Sequence, residues 1–393
     1  MKIVYASDQY WPSVSGVPVS MDSFKNKFTE KGHEIFLLVP DYPNAVEWDK
    51  ENKIKNIFRF KSTGIFFNKE NRRVCSSEKK KVFETLDSIK PDIIHIHTEF
   101  SLAKIVISYA KKKNIPIVMT AHTNWEELVN AYLAFVPQRL GRMYIRFMLQ
   151  RIFNKADVLI APTKMMQGIL SKYYIQTAVQ VIPTGIDENK FFKEKSNSAA
   201  SHNFVLEGLA DKIKDRKVLL YVGRIGKEKN IKFLIDALHQ LLPNNKDAKL
   251  VIVGEGPAKE ELEDYALQLG LQDHVIFTGF VERDKLAEFY SMAHVFTFAS
   301  KVESQGLVIL ESMTCGTPVV AIGEMGTKEL MGGDFGGFMV EDNLNLFVEK
   351  VELLLSDYQL HKLKSEEALQ EATKWKIESM TLRVLKLYEG LLV

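Results

Sequence analysis

Short apolar runs alternate with longer amphipathic stretches along both halves of this sequence of 393 residues. The runs of the first half are KIVYAS, EIFLLVP, DIIHIH, PIVMTAH and ADVLIAPT, and those of the second half are KVLLYVG, AKLVIVGEG, HVIFTGF, HVFTFAS and PVVAIG. Strands that helices cover on both faces are continuous apolar runs of this kind. Regular strand–helix alternation indicates right-handed βαβ units, so we predict an α/β fold with two doubly wound sheets.

The length of the chain and a polar segment near its middle predict two domains. A chain of this length exceeds what one hydrophobic core usually supports. Residues 193–203, KEKSNSAASHN, are polar and lack hydrophobic periodicity, as is typical of a linker. We therefore place one domain at 1–192 and the other at 204–376. Ligands of open α/β sheets bind beyond the carboxyl ends of the strands, so two facing sheets would line an interdomain cleft with their loops.

The charge of the chain is unevenly distributed. The net charge is +2, but residues 1–200 carry 30 lysines and arginines against 20 acidic residues. This basic half indicates an anionic partner, whether phosphate, nucleic acid or a membrane surface, although an uneven solvated surface would give the same count. Cys75 and Cys315 are not spaced as metal ligands and favour a reducing cytoplasm. The N-terminus has no signal-peptide pattern and no apolar run reaches spanning length, so we expect neither standard export nor a membrane anchor.

Two carboxylates eight positions apart, Glu303 and Glu311, stand in the otherwise apolar segment KVESQGLVILESMTCGTPVV. We predict that Glu303 lies in a strand-to-helix loop and that residues 304–307 form the first turn of the following helix. Backbone N–H groups of a first turn have no partner within the helix, and together with the helix dipole they favour an anion. Gly306 permits close backbone approach. Carboxylates on both sides of a bound phosphate suit a nucleotide-diphosphate sugar, whose hydroxyls flank its diphosphate.

Other interpretations of these carboxylates are a glycosidase acid–base pair or a glutamate paired with a surface lysine.

Two glycine-containing segments of the second half also follow strands. In LLYVGRIGKEKN, Arg224 and Lys229 follow a strand, where they would suit a diphosphate or simply be solvated charges at a helix start. VGEGP suggests a dinucleotide fingerprint, but the third glycine position is Lys259 and Pro257 interrupts the helix start. We therefore do not favour a dehydrogenase.

Three elements of the second half resemble the retaining glycosyltransferases of family four. They are Glu-x7-Glu followed by Gly-Thr-Pro-Val, the Gly-Arg-x4-Lys of 223–229 and the Val-Gly-x-Gly-Pro of 253–257. The resemblance covers nearly the whole chain and implies the GT-B fold, in which two Rossmann-like domains face an interdomain cleft. It also implies that the C-terminal helix, 377–393, packs back on the first domain.

The resemblance implies a donor site of known layout. Arg224 and Lys229 would neutralise the leaving diphosphate, Glu303 would contact hydroxyls of the sugar, and Glu311 would contact the ribose. The other donor contacts that it implies are Ser304, Gln305, Gly306 and Leu307, whose amides would hold the phosphates and the hexose, and Phe280 and Val281, in the loop that receives the nucleotide base. Because two cations face the diphosphate and no Asp-x-Asp motif is apparent, we expect no metal and no other cofactor.

Two residues of the first half match the same family. Gly16 suits a tight turn near the donor phosphates, although many members have two glycines where this chain has Ser15-Gly16. A lone histidine is usually structural, but His122 follows a strand and matches the family's histidine beside the transferred sugar. With Arg224, Lys229 and Glu303, it completes the catalytic set that the resemblance implies.

The segment HTEFSL at 97–102 is similar to bacterial diacylglycerol glucosyltransferases, which favours a lipid acceptor. The segment 135–151 is predicted to be helical after Pro137, with three arginines within about 60° of one another on a helical wheel. Those arginines are Arg139, Arg142 and Arg146, and Leu140, Met143 and Phe147 flank them. Such a helix would lie on an anionic membrane, or would be a core helix with a basic edge. Trp125 could line a groove on the lipid side or belong to the core.

We therefore predict a retaining hexosyltransferase that moves glucose from UDP-glucose to a membrane lipid such as 1,2-diacylglycerol. The expected location is the cytoplasm, at the inner face of the cell membrane, and no nucleic acid partner is expected. The alternatives are a hexosyltransferase with a soluble metabolite or polysaccharide acceptor, and an inactive nucleotide-sugar-binding protein. No residue separates UDP-glucose from UDP-galactose or GDP-mannose, and neither the oligomeric state nor processivity follows from the sequence.

Overall fold

The computed structural model describes residues 1–13, 15–65, 68–125, 138–191 and 207–392. The chain divides into two compact units, of which unit 1 is Met1–Gly185 with Ile377–Val393 and unit 2 is Ile186–Lys376. The division falls after Gly185, before the predicted end of the first domain at 192, so unit 2 begins earlier than the predicted 204. All of the predicted linker, residues 193–203, lies outside the described residues.

Unit 1 is built on a parallel sheet with the strand order β3-β2-β1-β6-β7-β8-β9, beside which β4 and β5 form an antiparallel pair. The strands are β1 (Lys2–Ala6), β2 (Glu34–Pro40), β3 (Ile57–Phe60), β4 (Ser62–Ile65), β5 (Asn68–Val74), β6 (Ile93–Ile96), β7 (Ile117–Thr120), β8 (Val158–Ala161) and β9 (Val179–Val181). The helices between them are α1 (Gly16–Glu30), α2 (Ala45–Glu51), α3 (Lys79–Ile89), α4 (Ser101–Lys113), α5 (Gln138–Phe153) and α6 (Lys164–Lys172).

The central strand β1 shows why these sequences form buried strands. Ile3, Val4, Tyr5 and Ala6 are all at most 1% exposed, although successive side chains of a strand point to opposite faces. Both faces of the sheet are therefore covered, as in doubly wound folds. Burying one such aliphatic side chain contributes about 1.5–3 kcal/mol, so a continuous apolar run strongly favours this placement.

Unit 2 has a parallel sheet with the order β12-β11-β10-β13-β14-β15. Its strands are β10 (Lys217–Val222), β11 (Ala248–Val253), β12 (Val275–Gly279), β13 (Val295–Phe298), β14 (Val319–Ile322) and β15 (Gly337–Val340). Its helices are α7 (Glu188–Phe191), α8 (Glu207–Ile213), α9 (Ile231–Leu241), α10 (Lys259–Gln268), α11 (Leu286–Met292), α12 (Leu307–Thr314), α13 (Met325–Met331), α14 (Leu344–Ser356) and α15 (Tyr358–Ala372). In chain order the strands run 3-2-1-4-5-6, the doubly wound order that binds ligands where the winding reverses.

The last helix, α16 (Ile377–Leu391), belongs to unit 1 and packs there on α1. The Tyr388 ring stacks on Phe28 with a centroid distance of 5.5 Å. The Tyr388 hydroxyl lies 2.6 Å from Nδ1 of His95, a residue of strand β6. Val384 and Tyr388 are at most 1% exposed, so the helix is part of the core of unit 1. The predicted α/β class with two doubly wound sheets is confirmed.

Candidate functional site

In unit 2, the strand order reverses between β10 and β13, and the loops after these two neighbouring strands carry most of the predicted donor residues. The loop after β10 is held in place by its backbone. The buried Tyr221 hydroxyl donates to the carbonyl oxygen of Arg224 at 3.0 Å, and a Cβ on Gly254 would lie 2.0 Å from the oxygen of Gly223. The loop after β11 therefore needs glycine at position 254, where it approaches the loop after β10, and the backbone of Arg224 is held in a fixed position.

Each of the two predicted cations lies close to a carboxylate, and one of these carboxylates, Glu303, was itself predicted. Lys229 Nζ is 2.7 Å from Glu303 Oε2, which joins the two loops, and Arg224 Nη1 donates to Glu228 Oε1 at 3.0 Å. The side chains of Lys229 and Glu303 are 20% and 23% exposed, so the pair is accessible to a ligand. Burial alone would lower the pKa of Lys229, but the charge and hydrogen bond of Glu303, with the charge of Glu228, raise that pKa above its usual value. Lys229 is therefore a permanent cation at neutral pH.

The loop from Glu303 to Gly306 differs in one respect from the sequence prediction. Helix α12 begins at Leu307, and Gly306 precedes it in the left-handed region with a φ of 87°. Ser304, Gln305 and Gly306 therefore lie in the loop, and the predicted first helical turn over 304–307 is corrected. The reason is that the left-handed Gly306 turns the chain into the helix, so a helical turn cannot extend before it. The N-terminal end of α12 still carries the positive end of the helix dipole beside the Lys229–Glu303 pair.

Glu311 is buried inside unit 2. Its Oε1 accepts from Arg283 Nη2 at 2.6 Å and its Oε2 accepts from the Tyr290 hydroxyl at 2.9 Å. Burial, followed by the nearby Glu311 carboxylate, raises the pKa of Tyr290 well above its ordinary value, so the phenol stays a donor. A carboxylate oxygen has two lone pairs, so Glu311 can accept a further hydroxyl while keeping both partners. Neither Arg283 nor Tyr290 was predicted as a partner of Glu311, although Arg283 stands in FTGFVERDKL, the segment predicted to receive the nucleotide base.

Phe280 and Val281 follow β12 and precede the turn that carries Arg283. The Phe280 side chain is 44% exposed, while Val281 packs on the core of unit 2. Gly279 bends the chain before them with a φ of 78°. The loop predicted for the nucleotide base therefore presents an accessible Phe280 ring shortly before Arg283, which binds Glu311.

In unit 1, Gly16 is the first residue of α1 and follows Ser15, whose hydroxyl accepts from the Val17 amide at 3.3 Å. A Cβ on Gly16 would meet nothing within 4 Å. The predicted tight turn at this glycine is therefore corrected, because its backbone is helical and capped by Ser15. The start of α1 is open for a ligand to approach.

His122 lies beyond β7, and its Nε2 is 3.1 Å from Nδ1 of His97, which lies beyond the neighbouring strand β6. The two rings stack at a centroid distance of 5.4 Å. Burial lowers the pKa of His122 to about 4, and burial lowers that of His97 well below its usual value. Both rings are therefore neutral near pH 7, so His122 is available for hydrogen bonding and is not a cation. His97 stands in the HTEFSL segment, but its pairing with His122 was not predicted.

The helix predicted to meet a membrane is α5, which the structure describes from Gln138. Its exposed large apolar side chains are Leu140, Met143, Tyr144 and Phe147, which are 55–68% exposed. Positions 140, 143, 144 and 147 form one stripe along a helix. Arg139 and Arg142 are exposed beside this stripe. Arg146 does not lie on this exposed face, because its guanidinium lies over the Tyr173 ring, 5.7 Å from the ring centroid. The prediction that Arg146 is exposed with the other two arginines was therefore wrong.

Trp125 packs edge-on against Phe100 with a centroid distance of 5.2 Å, beside the core of unit 1. Residues 126–137, which precede α5, lie outside the described residues. Within the described ranges, no cluster of three or more His, Cys, Asp or Glu side chains is arranged to hold a metal ion. In the same part of the chain, no helix is long and apolar enough to cross a membrane.

Two family models match the chain: Glycosyltransferase Family 4 over residues 14–190 and Glycosyl transferases group 1 over residues 210–375. The chain is 31% identical over 377 residues to the alpha-monoglucosyldiacylglycerol synthase of Streptococcus pneumoniae strain R6, which covers 94% of this chain and 82% of that one. It is 28% identical over 331 residues to the protein of the same name from Acholeplasma laidlawii, with 81% and 80% covered.

The crystal structure of Anabaena HepE in complex with UDP-glucose matches 99% of this chain and 100% of its own, with a TM-score of 0.77 and 18% identity. At that identity the match bears on the fold, and it confirms the predicted GT-B architecture. The family models and the relative from S. pneumoniae confirm the predicted family and enzyme class. The chain belongs to glycosyltransferase family 4, has the GT-B fold and is a retaining hexosyltransferase.

Proposed function

We propose that this enzyme transfers glucose from UDP-glucose to a membrane lipid acceptor such as 1,2-diacylglycerol, as a peripheral enzyme at the cytoplasmic face of the cell membrane. The assignment of a nucleotide-sugar donor is supported by the contact between Lys229 and Glu303, which lies where the strand order of unit 2 reverses. The names of the two relatives, both alpha-monoglucosyldiacylglycerol synthases, support the acceptor half. The exposed face of α5 supports the membrane location.

The donor side follows from the charges of unit 2. A diphosphate placed beside Arg224, Lys229 and the N-terminal end of α12 would meet a planar guanidinium, an ammonium and the positive end of a helix. Glu303, which already holds Lys229, would then face hydroxyls of the sugar, and Glu311 would accept from the ribose. We propose that the two cations stabilise the leaving diphosphate without a divalent ion.

The mechanism that we propose is a displacement on one face of the sugar. The bond from the anomeric carbon to the diphosphate oxygen breaks, and the acceptor oxygen forms its bond to that carbon on the same face. The acceptor's proton passes to the departing phosphate oxygen, so that no side chain has to store it. Arg224 and Lys229 stabilise the negative charge as it develops. His122, neutral near pH 7, hydrogen-bonds the sugar or its neighbouring backbone.

A donor panel tests this function. We expect UDP to be released from UDP-glucose faster in the presence of vesicles that contain diacylglycerol than in their absence, and we expect an alpha-linked glucosyl lipid as the product. The rate should persist in excess EDTA, since the cations of the protein hold the diphosphate. Release with GDP-mannose or UDP-galactose alone would overturn the donor assignment. Transfer only to a soluble sugar or metabolite would replace the lipid acceptor, and binding without turnover would identify an inactive binder.

The exposed face of α5 leads to a separate prediction about the membrane. Replacing Arg139 and Arg142 by glutamate should reduce co-sedimentation with anionic vesicles by about tenfold or more, because each basic residue near such a surface contributes about 1 kcal/mol. Replacing Leu140, Met143 and Phe147 by serine should reduce binding at high salt as well, where electrostatic attraction is screened.

The matched control for these variants changes exposed leucines of unit 2. Leu267 and Leu363 are 60% and 50% exposed, so their replacement by serine removes apolar surface of the same kind. This control should bind vesicles as the wild type does. Equal losses in both sets, or a wild-type protein that stays in the supernatant at low salt, would contradict the role of α5.

A further inference from the structure

A group of side chains in unit 1 has no part in the donor site described above. Glu99 and Phe100 lie between β6 and α4, Trp125 lies beyond β7, and Arg73 lies near the end of β5. The carboxyl ends of β6 and β7 are neighbouring positions of the same parallel sheet edge, where ligands of such sheets bind. We call Glu99, Trp125 and Arg73 the Glu99 cluster.

Glu99 is the unusual member of the cluster. The residue is 3% exposed, and its Oε1 is buried without a hydrogen-bond partner among the described residues. The indole Nε1 of Trp125 is also buried and makes no hydrogen bond of good geometry among the described residues, although it lies close enough to the Glu99 carboxyl group to lower the pKa of that group. A buried polar atom that lacks a partner is costly, and a buried carboxylate is more costly than a neutral group. Such atoms are therefore rare in native proteins unless a ligand or another bound group uses them.

A second buried carboxylate nearby shows what a structural acidic residue looks like in this fold. Asp8 accepts from the Val74 amide at 2.9 Å, from the Ser101 hydroxyl at 3.0 Å and from the Leu102 amide at 3.0 Å. These bonds join the segment after β1 to the end of β5 and to the start of α4, and they account for the burial of Asp8. Glu99 joins no elements in this way through its Oε1, so a purely structural role does not explain that oxygen.

The rest of the cluster is preorganised around Glu99. The Arg73 guanidinium lies over the Phe100 ring, 3.2 Å from the centroid, and the Phe100 ring in turn meets Trp125 edge-on with an interplanar angle of 85°. This stack fixes the arginine and the indole next to the carboxyl group. Two carboxyl groups, those of Glu99 and Asp8, lie near the one guanidinium of Arg73. The cluster therefore has no excess of positive charge and does not favour a phosphate.

One neutral chemical group satisfies both unpartnered atoms. A hydroxyl donates through its hydrogen and accepts through its oxygen, so it can donate to Glu99 Oε1 while it accepts from Trp125 Nε1. We propose that Glu99 and Trp125 form a subsite for an uncharged, hydroxyl-bearing head group of the acceptor, and that Arg73 positions them. The inference rests on the proposed transfer to a hydroxyl acceptor and adds the residues that hold that hydroxyl. Glu99 orients it, and the proton still leaves with the diphosphate.

The charge state of Glu99 gives the subsite a pH dependence. Burial raises the pKa of Glu99 to about 7, against the lowering effects of its own backbone, the Trp125 indole and the Arg73 charge, while the charge of Asp8 raises it slightly further. Only the ionised carboxylate accepts a hydrogen bond at both oxygens. Acceptor kcat/KM should therefore rise as the pH increases through about 7 in the wild type.

Glu99→Ala, Glu99→Gln and Trp125→Phe test the subsite. We expect Glu99→Ala to raise the KM for diacylglycerol in vesicles about tenfold, with the Kd for UDP unchanged, because one hydrogen bond to a carboxylate is lost. Trp125→Phe keeps the ring against Phe100 but loses the N–H, and should raise the same KM several-fold. Glu99→Gln keeps the volume and should remove the rise of acceptor kcat/KM near pH 7. Glu84→Gln, an exposed glutamate of α3, is the matched control and should change none of these.

The outcomes separate this inference from the proposed function. If the wild type glucosylates diacylglycerol and the Glu99 and Trp125 variants keep its KM and pH profile, the subsite is wrong and the proposed function stands. If the wild type uses only a soluble acceptor, the lipid assignment fails, and a raised KM for that acceptor in Glu99→Ala still supports the subsite. A change in thermal stability alone, with acceptor kinetics intact, means that a bound water fills the site and overturns the inference. An enzyme that binds no nucleotide sugar overturns both.

Discussion

Lys229→Ala should lower the rate of glucosyl transfer by about 10²- to 10³-fold, the usual effect of removing one group that stabilises developing charge. The lysine is held by Glu303 at 2.7 Å, at the reversal of strand order in unit 2, and the pairing keeps it protonated. The variant loses this cation and also leaves the Glu303 carboxylate without the partner that orients it. Both kcat and the affinity for UDP should fall, measured by steady-state kinetics and by calorimetric titration with UDP.

Lys229 ends a short 3-10 turn, Lys227–Lys229, and the first residue of that turn supplies the control for this variant. Lys227 lies two residues before Lys229, but its side chain is 74% exposed and pairs with Glu261 on α10. Lys227→Ala should therefore transfer at nearly the wild-type rate, because exposed ion pairs contribute little. Arg224→Ala should resemble Lys229→Ala. If Lys227→Ala and Lys229→Ala were equally impaired, or if Lys229→Ala kept its rate, the placement of the diphosphate beside these cations would be refuted.

The donor half of the site could be predicted from the sequence because its residues stand in fixed positions relative to strands. Arg224 and Glu303 each follow an apolar run, and runs that form neighbouring parallel strands bring their following loops to one edge. Arg283 and Tyr290 could not be predicted in this way. They reach Glu311 through the packing of a turn and a helix against α12, and no spacing in the sequence encodes that contact.

The first half of the chain was harder to predict, for two physical reasons. A helical wheel gives the angles between side chains but does not say which face packs on the core, so Arg146 was placed outside although its guanidinium lies over Tyr173. The strands β4 and β5 lack apolar runs, so their sequences STGI and NKENRRV gave no strand signal. Arg73 reaches the Glu99 cluster from β5, and the cluster was therefore not predicted.

The loop that carries Glu303 packs against Gly326, a glycine that no motif identified. Replacing this glycine is the second change that we expect to lower the transfer rate strongly. Gly326, in the first turn of α13, donates its amide hydrogen to the Glu303 carbonyl oxygen at 2.9 Å. A Cβ on Gly326 would lie 2.5 Å from the Ser304 carbonyl carbon and 2.7 Å from the Gln305 nitrogen. Both are backbone atoms, so no side chain can rotate away, and either the loop or α13 has to move.

Gly326→Ala should therefore lower transfer by about a hundredfold, because a displacement of about 1 Å near the reacting groups has an effect of that size. The KM for UDP-glucose should rise, and circular dichroism should still show a folded protein with a lower melting temperature. Gly168→Ala is the matched control, since Gly168 lies within helix α6 and a Cβ there would meet nothing within 4 Å. That variant should keep its activity and gain a little stability, as alanine favours a helix over glycine. A Gly326→Ala enzyme with wild-type kinetics would show that the position of the Glu303 loop does not control the reaction.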